Sequence, residues 1–570
     1  MKTKFFLIIS IFCSVSLFSQ TPTSGKPIFQ EVPENVYLHI NSTSLFTGET
    51  LYYSFYCWDQ AADNLSEISK IGYVELLGKD GKSILKQKIE LSGGKGNGDF
   101  YIPSQINTGW YKLVAYTRWM LNKPVSEMYQ TDILIINPFQ VLPENMIIQP
   151  TDSSQILNHK VTTSETSSET TSKLVNKEVY GSREKVDLNF TKLSLQEGHY
   201  SLSVRKKGTL DREASRSSKS FLKTAKSSHK GPGTTKNFLP ELRGEMLVGT
   251  IENKNKPSDI AHKTVALSIP GEDFMLKLVK TDNQGVFRFV LDPMPNTPNV
   301  VLQVMEEDRE NYLVQLEPET TDFSSLQFED KAILSADLKE EIQERRIAIQ
   351  IENAYHQSKQ DLILEEPAST AFFAPLGKEY ILEDYTRFPS LEKTIIEILS
   401  EMTFKKKKGK YQLHIRNGTE KSILPEKPLI MVDGLFLQEY EELFGYDTRK
   451  LYKISILPKK YIYGAHIFGG IANFVTSNND FKFSREADYF LKTTILRPLS
   501  EKKYFTPDYA EDKAERIPDY RYQLLWQPNF SPQTPSSFYT SDVTGVYEIS
   551  IEGFTKNGKP VSISQTFEVK

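Results

Sequence analysis

Cysteine is nearly absent: among 570 residues only Cys13 and Cys57 occur. Cys13 falls in an N-terminal leader, so the mature chain keeps a single thiol and forms no intrachain disulfide. Its stability must come from packing. No HExxH, CxxC, GxSxG or GxxxxGK[ST] string is present, which removes the usual metal, thiol, acyl-transfer and nucleotide signatures. Neither sign of charge is in excess, since 69 Lys and Arg against 73 Asp and Glu leave a formal net charge of −4. No global field then draws the chain to nucleic acid, which is not expected as a partner. Beyond the leader, no apolar run approaches the roughly 20 residues of a membrane helix. The mature chain is expected to have no transmembrane segment of its own.

What is abundant is length and aromatic side chains. A chain of 570 residues exceeds one hydrophobic core and predicts about four domains. Its 28 Tyr and 33 Phe stand in alternating apolar and polar runs that favour strands. The fold class expected is mainly β and multi-domain. The leader MKTKFFLIISIFCSVSLFSQ sets Lys2 and Lys4 before a short apolar stretch and Ser19 near its end, so residues 1–19 are read as a signal peptide. Lipid attachment at Cys13 is the lesser alternative, because bulky Phe12 precedes it.

Residues 28–143 carry about seven alternating strands, with Asp80-Gly81 as a hairpin turn because Gly accepts positive φ. Residues 150–178 are rich in Ser and Thr and predict a linker. A second β-sandwich is expected over 144–240, interrupted at about 211–236 by a Ser-, Gly- and Lys-rich tract read as a solvated insertion, with polyanion binding as the alternative. A third sandwich is expected over 241–332. A helical connector follows over 333–384, with Asp337 and Glu340 as a capping pair and Leu338, Ile342, Ile347, Ile351 and Tyr355 on its buried side. A second helix begins at Ser390 as its cap, within an α/β unit spanning 385–480. The segment 481–570 returns to alternating strands with Asn557-Gly558 as a turn, and either forms its own sandwich or completes an earlier one.

Three of these units resemble known families. Val36-Tyr37-Leu38-His39, Thr47-Gly48-Glu49-Thr50-Leu51 and Gly109-Trp110-Tyr111-Lys112-Leu113-Val114-Ala115-Tyr116-Thr117 resemble the macroglobulin-type sandwich of alpha-macroglobulin-like bacterial envelope proteins. Thr281-Asp282-Asn283-Gln284-Gly285-Val286-Phe287 is similar to the prealbumin-like regulatory domain of carboxypeptidases, which is structural in that family. The run PLIMVDG at 428–434, the strand Ile454–Pro458, Tyr463-Gly464 and Gly469-Gly470-Ile471-Ala472-Asn473-Phe474 look like the plug domain of TonB-dependent outer-membrane receptors. Asp433, Gly434, Tyr463, Gly464, Gly469, Gly470 and Asn473 carry that plug-like motif. Ala465-His466-Ile467-Phe468 depart from it, standing where receptor plugs have smaller polar residues. A receptor barrel needs over about 200 residues of strand, so this plug-like module is expected to lack its own barrel.

Other candidate chemistry is sparse. Cys57-Trp58-Asp59-Gln60 shares the Cys-to-Gln spacing of the macroglobulin thioester, but Trp58 replaces its Gly, so covalent trapping is not expected. Flanking aromatics predict an inert buried thiol at Cys57, and the strand position of His39 predicts a satisfied imidazole. Asp59, Asp63 and Glu67 lack the spacing of a calcium loop. Lys405 to Lys408 with Lys410 are read as a solvated loop, with lipid head groups or an acidic partner as the alternative. No catalytic residue, cofactor or metal is expected. The chain is read as a non-enzymatic scaffold of the Gram-negative envelope, periplasmic or at the outer membrane or cell surface, partnered by an outer-membrane β-barrel protein or complex. The alternative is a binding module for an exported polypeptide or polysaccharide.

Overall fold

A computed structural model describes residues 32–140, 148–149, 173–190, 193, 195–211, 217–225, 237–292, 297–329, 334–335, 338–364, 371–374, 377–484, 486–510 and 517–570. The leader and most of the 150–178 linker lie outside them. With 44% strand against 13% helix, the chain is mainly β.

The first sandwich packs a four-stranded sheet around Thr50–Asp59 against a five-stranded sheet centred on Gly109–Thr117. The central strand Thr50–Asp59 is buried along nearly its whole length, because it is covered by the other sheet on one face and by the second sandwich on the other. The expected hairpin at Asp80-Gly81 joins Ile71–Leu77 to Ser83–Glu90, with Gly81 at φ +73°.

The other units are nested. The second sandwich pairs Gly198–Lys206 with Gln523–Phe530 on one side and Gly545–Thr555 on the other, so the tail completes this earlier unit. Inside that bracket lies the third sandwich, of three and four strands, whose strand Asn299–Val304 pairs with Phe490–Thr494. Inside that in turn lies the α/β module, a mixed sheet in the order Lys378–Ile381, Leu451–Leu457, Ile471–Thr476, Leu429–Val432, Leu435–Leu437. One hydrophobic core runs through both, from Phe287 and Leu302 of the sandwich to Ile430, Ile454 and Phe474 of the module.

Two helices differ from their sequence reading. Leu338–Ala354 buries Arg345, Ala348 and Ile349, while Ile347 and Tyr355 are exposed. The phase is set by Arg345, whose guanidinium donates to Glu49 of the first sandwich at 2.6 and 2.7 Å, so the helix is bound to a sandwich face. Asp337 lies outside the described residues. Within the tract read as a solvated insertion, Ser218–Ala225 is an amphipathic helix that buries Phe221, Leu222 and Ala225 in the first sandwich's core. Leu391–Glu397 begins as expected, with Ser390 Oγ accepting from the Lys393 amide.

Candidate functional site

The plug-like motif residues converge on two turns. At the first, Asp433 and Gly434 both take left-handed backbone, φ +48° and +77°. The buried Asp433 carboxylate accepts from the Thr476 amide and hydroxyl, each at 2.7 Å, and from the Phe481 amide at 3.1 Å. Asn473 Oδ1 accepts from the Gly434 amide at 3.3 Å. A side chain on Gly434 would place its Cβ 2.0 Å from Phe274 Cβ of the third sandwich, so close approach requires glycine here. The neighbouring strand is bound to that sandwich as well: the Phe436 amide donates to Ser268 Oγ and Gln303 Nε2 donates to the Phe436 carbonyl.

The second turn belongs to the hairpin of Tyr461–Tyr463 with His466–Phe468. Tyr463 donates its hydroxyl to the Leu276 carbonyl and His466 Nε2 meets Thr264 Oγ1, again on the third sandwich. Gly464 turns the hairpin at φ +60°. Gly469 passes against the Glu426 carbonyl, and Gly470, at φ +91°, passes under Ile415. All seven motif residues therefore sit in the α/β module, and both turns face the third sandwich. The departure at Ala465–Phe468 has a visible result: Ile462 and Ile467 stand opposite each other across the hairpin, 71% and 55% exposed.

A second feature has no sequence motif. Between the first and second sandwiches, the Leu338–Ala354 helix and the returning segment 504–526, a cleft of about 210 Å³ is lined by Tyr52, Tyr504 and Trp526 together with Arg205, Lys359 and Asp361. Tyr52 stacks on Trp526 with ring centroids 5.8 Å apart and meets Tyr504 edge-on at 5.0 Å. Among the described residues Trp526 Nε1 and Arg205 Nε find no hydrogen-bond partner. Beside them, burial alone would raise the Glu49 carboxyl, but Arg345 and Arg205 hold it below its ordinary value. Burial raises Asp361. Four separate segments build this cleft, so only the aromatic content of GETLYYSF and YRYQLLW hinted at it in the sequence.

The remaining chemical candidates are sealed. His39 Nδ1 lies 2.6 Å from Ser201 Oγ, which has the spacing of a nucleophile and base. Ser201 is fully buried, however, and burial lowers the imidazole to about 3, so in this conformation neither substrate nor proton reaches the pair. The Cys57 thiol is buried and pushed well up by that burial, the setting of an inert sulfur. Among the described residues no cluster of His, Cys, Asp or Glu could hold a metal ion, and no helix is long and apolar enough to cross a membrane.

No family model and no curated protein matches the chain. Among solved structures it is similar to Salmonella alpha-2-macroglobulin reacted with methylamine, at 9% identity and TM-score 0.16, over 94% of this chain and 23% of that one. It is similar to Escherichia coli alpha-2-macroglobulin activated by porcine elastase, at 10% identity and TM-score 0.23, over 94% and 44%. A further likeness is to dimeric latent PorU from Porphyromonas gingivalis, at 10% identity and TM-score 0.16, over 50% and 33%. The chain thus spans about a quarter of the Salmonella protein's length, and no property of these proteins is carried over to it.

Proposed function

We propose that the chain is a non-enzymatic scaffold of the Gram-negative envelope, exported across the inner membrane, that docks to an outer-membrane β-barrel protein or to a transport or assembly complex. The observation that carries this reading is the core shared by the third sandwich and the plug-like module. It turns two small units into one body with fixed outer faces, which suits docking. The motif turns are already committed to the sandwich, so a barrel partner is met by the opposite face and by the exposed Ile462 and Ile467. Purification from detergent-solubilised outer membranes tests the reading. Co-elution with a barrel protein, weakened by Ile462→Asp with Ile467→Asp, is expected. Recovery solely as a free monomer would overturn it.

The cleft favours a second reading, a binding module for an exported polypeptide or polysaccharide. Stacked aromatic rings beside polar groups suit sugar rings or aromatic side chains. Retention of an oligosaccharide or peptide by the full chain, lost in Tyr52→Ala, supports this reading; equal retention by both counts against it.

A further inference from the structure

The lysine run forms the tip of a β-hairpin. Strands Met402–Lys407 and Lys410–Ile415 pair in register, and Lys408 and Gly409 turn between them at φ +50° and +79°. Two left-handed residues make a type I′ turn, for which Asn-Gly is the undemanding choice. A lysine at its first position is strained. Lys407 stands directly opposite Lys410, and like charges so placed repel. Residues 405–410 are all exposed. Only Lys406 is engaged, donating to the Tyr411 hydroxyl at 2.9 Å. The side chains of Lys405, Lys407, Lys408 and Lys410 make no hydrogen bond or ion pair among the described residues. Next to the turn the hairpin is anchored: the Tyr411 ring stacks on Phe444 at 3.8 Å and its hydroxyl donates to Glu392 at 2.8 Å. The nearby carboxylates are occupied there, Glu392 by that hydroxyl and Glu441 by the Tyr411 amide.

We propose that this hairpin is a basic finger that docks on the phosphate layer of an anionic lipid bilayer. The stem holds Lys407 and Lys410 together although their charges repel, and an anionic surface removes that repulsion. All five basic residues are lysine, the hydrated point charge suited to a diffuse headgroup layer, with no arginine fork for one fixed phosphate. The tip is convex, so it meets a surface and encloses nothing. The whole chain carries a formal charge of −4, so attraction to an anionic surface must be local. The proposal needs lipid alone and stands apart from the barrel reading.

Sedimentation of the purified full chain with protein-free vesicles tests it, using phosphatidylcholine with or without phosphatidylglycerol at low and raised salt. Binding is expected only with phosphatidylglycerol and is expected to fall as salt rises. Each Lys→Gln change at 405, 407, 408 or 410 should weaken it about fivefold, the factor that corresponds to one lysine near an anionic surface. Lys407→Gln with Lys410→Gln should unfold at the same or a higher temperature than the parent. Equal loss from Lys219→Gln with Lys223→Gln, exposed on the Ser218–Ala225 helix, sedimentation with neither vesicle, or unchanged binding by the finger variants would each overturn the proposal. Retention on heparin without vesicle binding would assign the tip to an acidic polymer instead.

Discussion

Around His39 the first sandwich meets the second through neutral hydrogen bonds, with the Arg205–Glu49 ion pair elsewhere in that joint, and it meets the third through buried ions. At the neutral joint, His39 bridges Ser201 and Ser550 at 2.6 and 3.3 Å, and Tyr37 donates to Glu552 at 3.1 Å. Burial raises the Glu552 carboxyl, in keeping with a joint that avoids charge. At the ionic joint, Lys88 reaches Glu245 at 2.7 Å and Glu319 at 2.5 Å. Arg497 lies 3.2 Å from Glu245 without hydrogen-bond alignment. Next to it, Tyr73 donates to Glu241. An ionic joint is secure only while complete, because each ion left alone retains its desolvation cost. A neutral joint tolerates partial loss but fails when His39 acquires a proton. The two should therefore break under different insults.

The largest effect is expected from Lys88→Met, which strands Glu245: roughly 3–5 kcal/mol of stability lost in urea unfolding. Adding Glu245→Leu should recover much of it, and no recovery would show that the charges are solvated in the native state. At Gly434 the joint between module and third sandwich is an apolar contact with Phe274, so it serves as a control. Gly434→Ala should cost about 2–3 kcal/mol through overpacking on Phe274 and its positive φ, at every pH.

Acidity should then move the two main joints in opposite directions. His39 is held at about 3, below its usual 6.5, so its stabilisation is full above the unfolded value and falls as pH drops, by about 2 kcal/mol between roughly pH 7 and 5. Burial raises Glu241 from 4.5 to about 7. Its protonated form is favoured by folding, so that contribution is full below about pH 4.5 and lost as pH rises through about 7, with about 2 kcal/mol of the loss falling between roughly pH 5 and 7. Hydrogen exchange across pH should show His39→Gln flattening the first profile and Glu241→Gln the second. Parallel profiles at both joints would break the comparison. The smallest effect is Ile462→Ser, within about 0.5 kcal/mol, since that side chain is 71% exposed.

The sequence was most legible where chemistry is local. Asp80-Gly81 marked its hairpin and Ser390 its cap, because each signal lies within a few residues of its effect. The helix at Leu338 was found, and Leu338 and Ile342 pack inward as expected, but Ile347 and Tyr355 were misplaced, because hydrophobic periodicity does not register a buried arginine whose partner, Glu49, lies in another unit. The short helix at Ser218 was hidden by its Ser and Lys content, with Phe221 and Leu222 as the only apolar clue. The lysine run reads as a loop because exposed strands carry no alternation. The motif glycines were visible as turns, yet the neighbour of Gly434 was not, since Phe274 lies far away in the chain. The cleft was least legible of all, being assembled by four segments that meet only after folding.

Because each unit is closed by a strand made after everything it encloses, a ribosome or secretion channel would release these parts from the inside outward. The α/β module can finish early, the third sandwich must hold an open edge until Phe490–Thr494 emerges, and the second must wait for Gly545–Thr555. Unpaired edges of that kind invite mispairing with other chains. A newly made copy of this protein is therefore a natural client for chaperones until its last strand arrives.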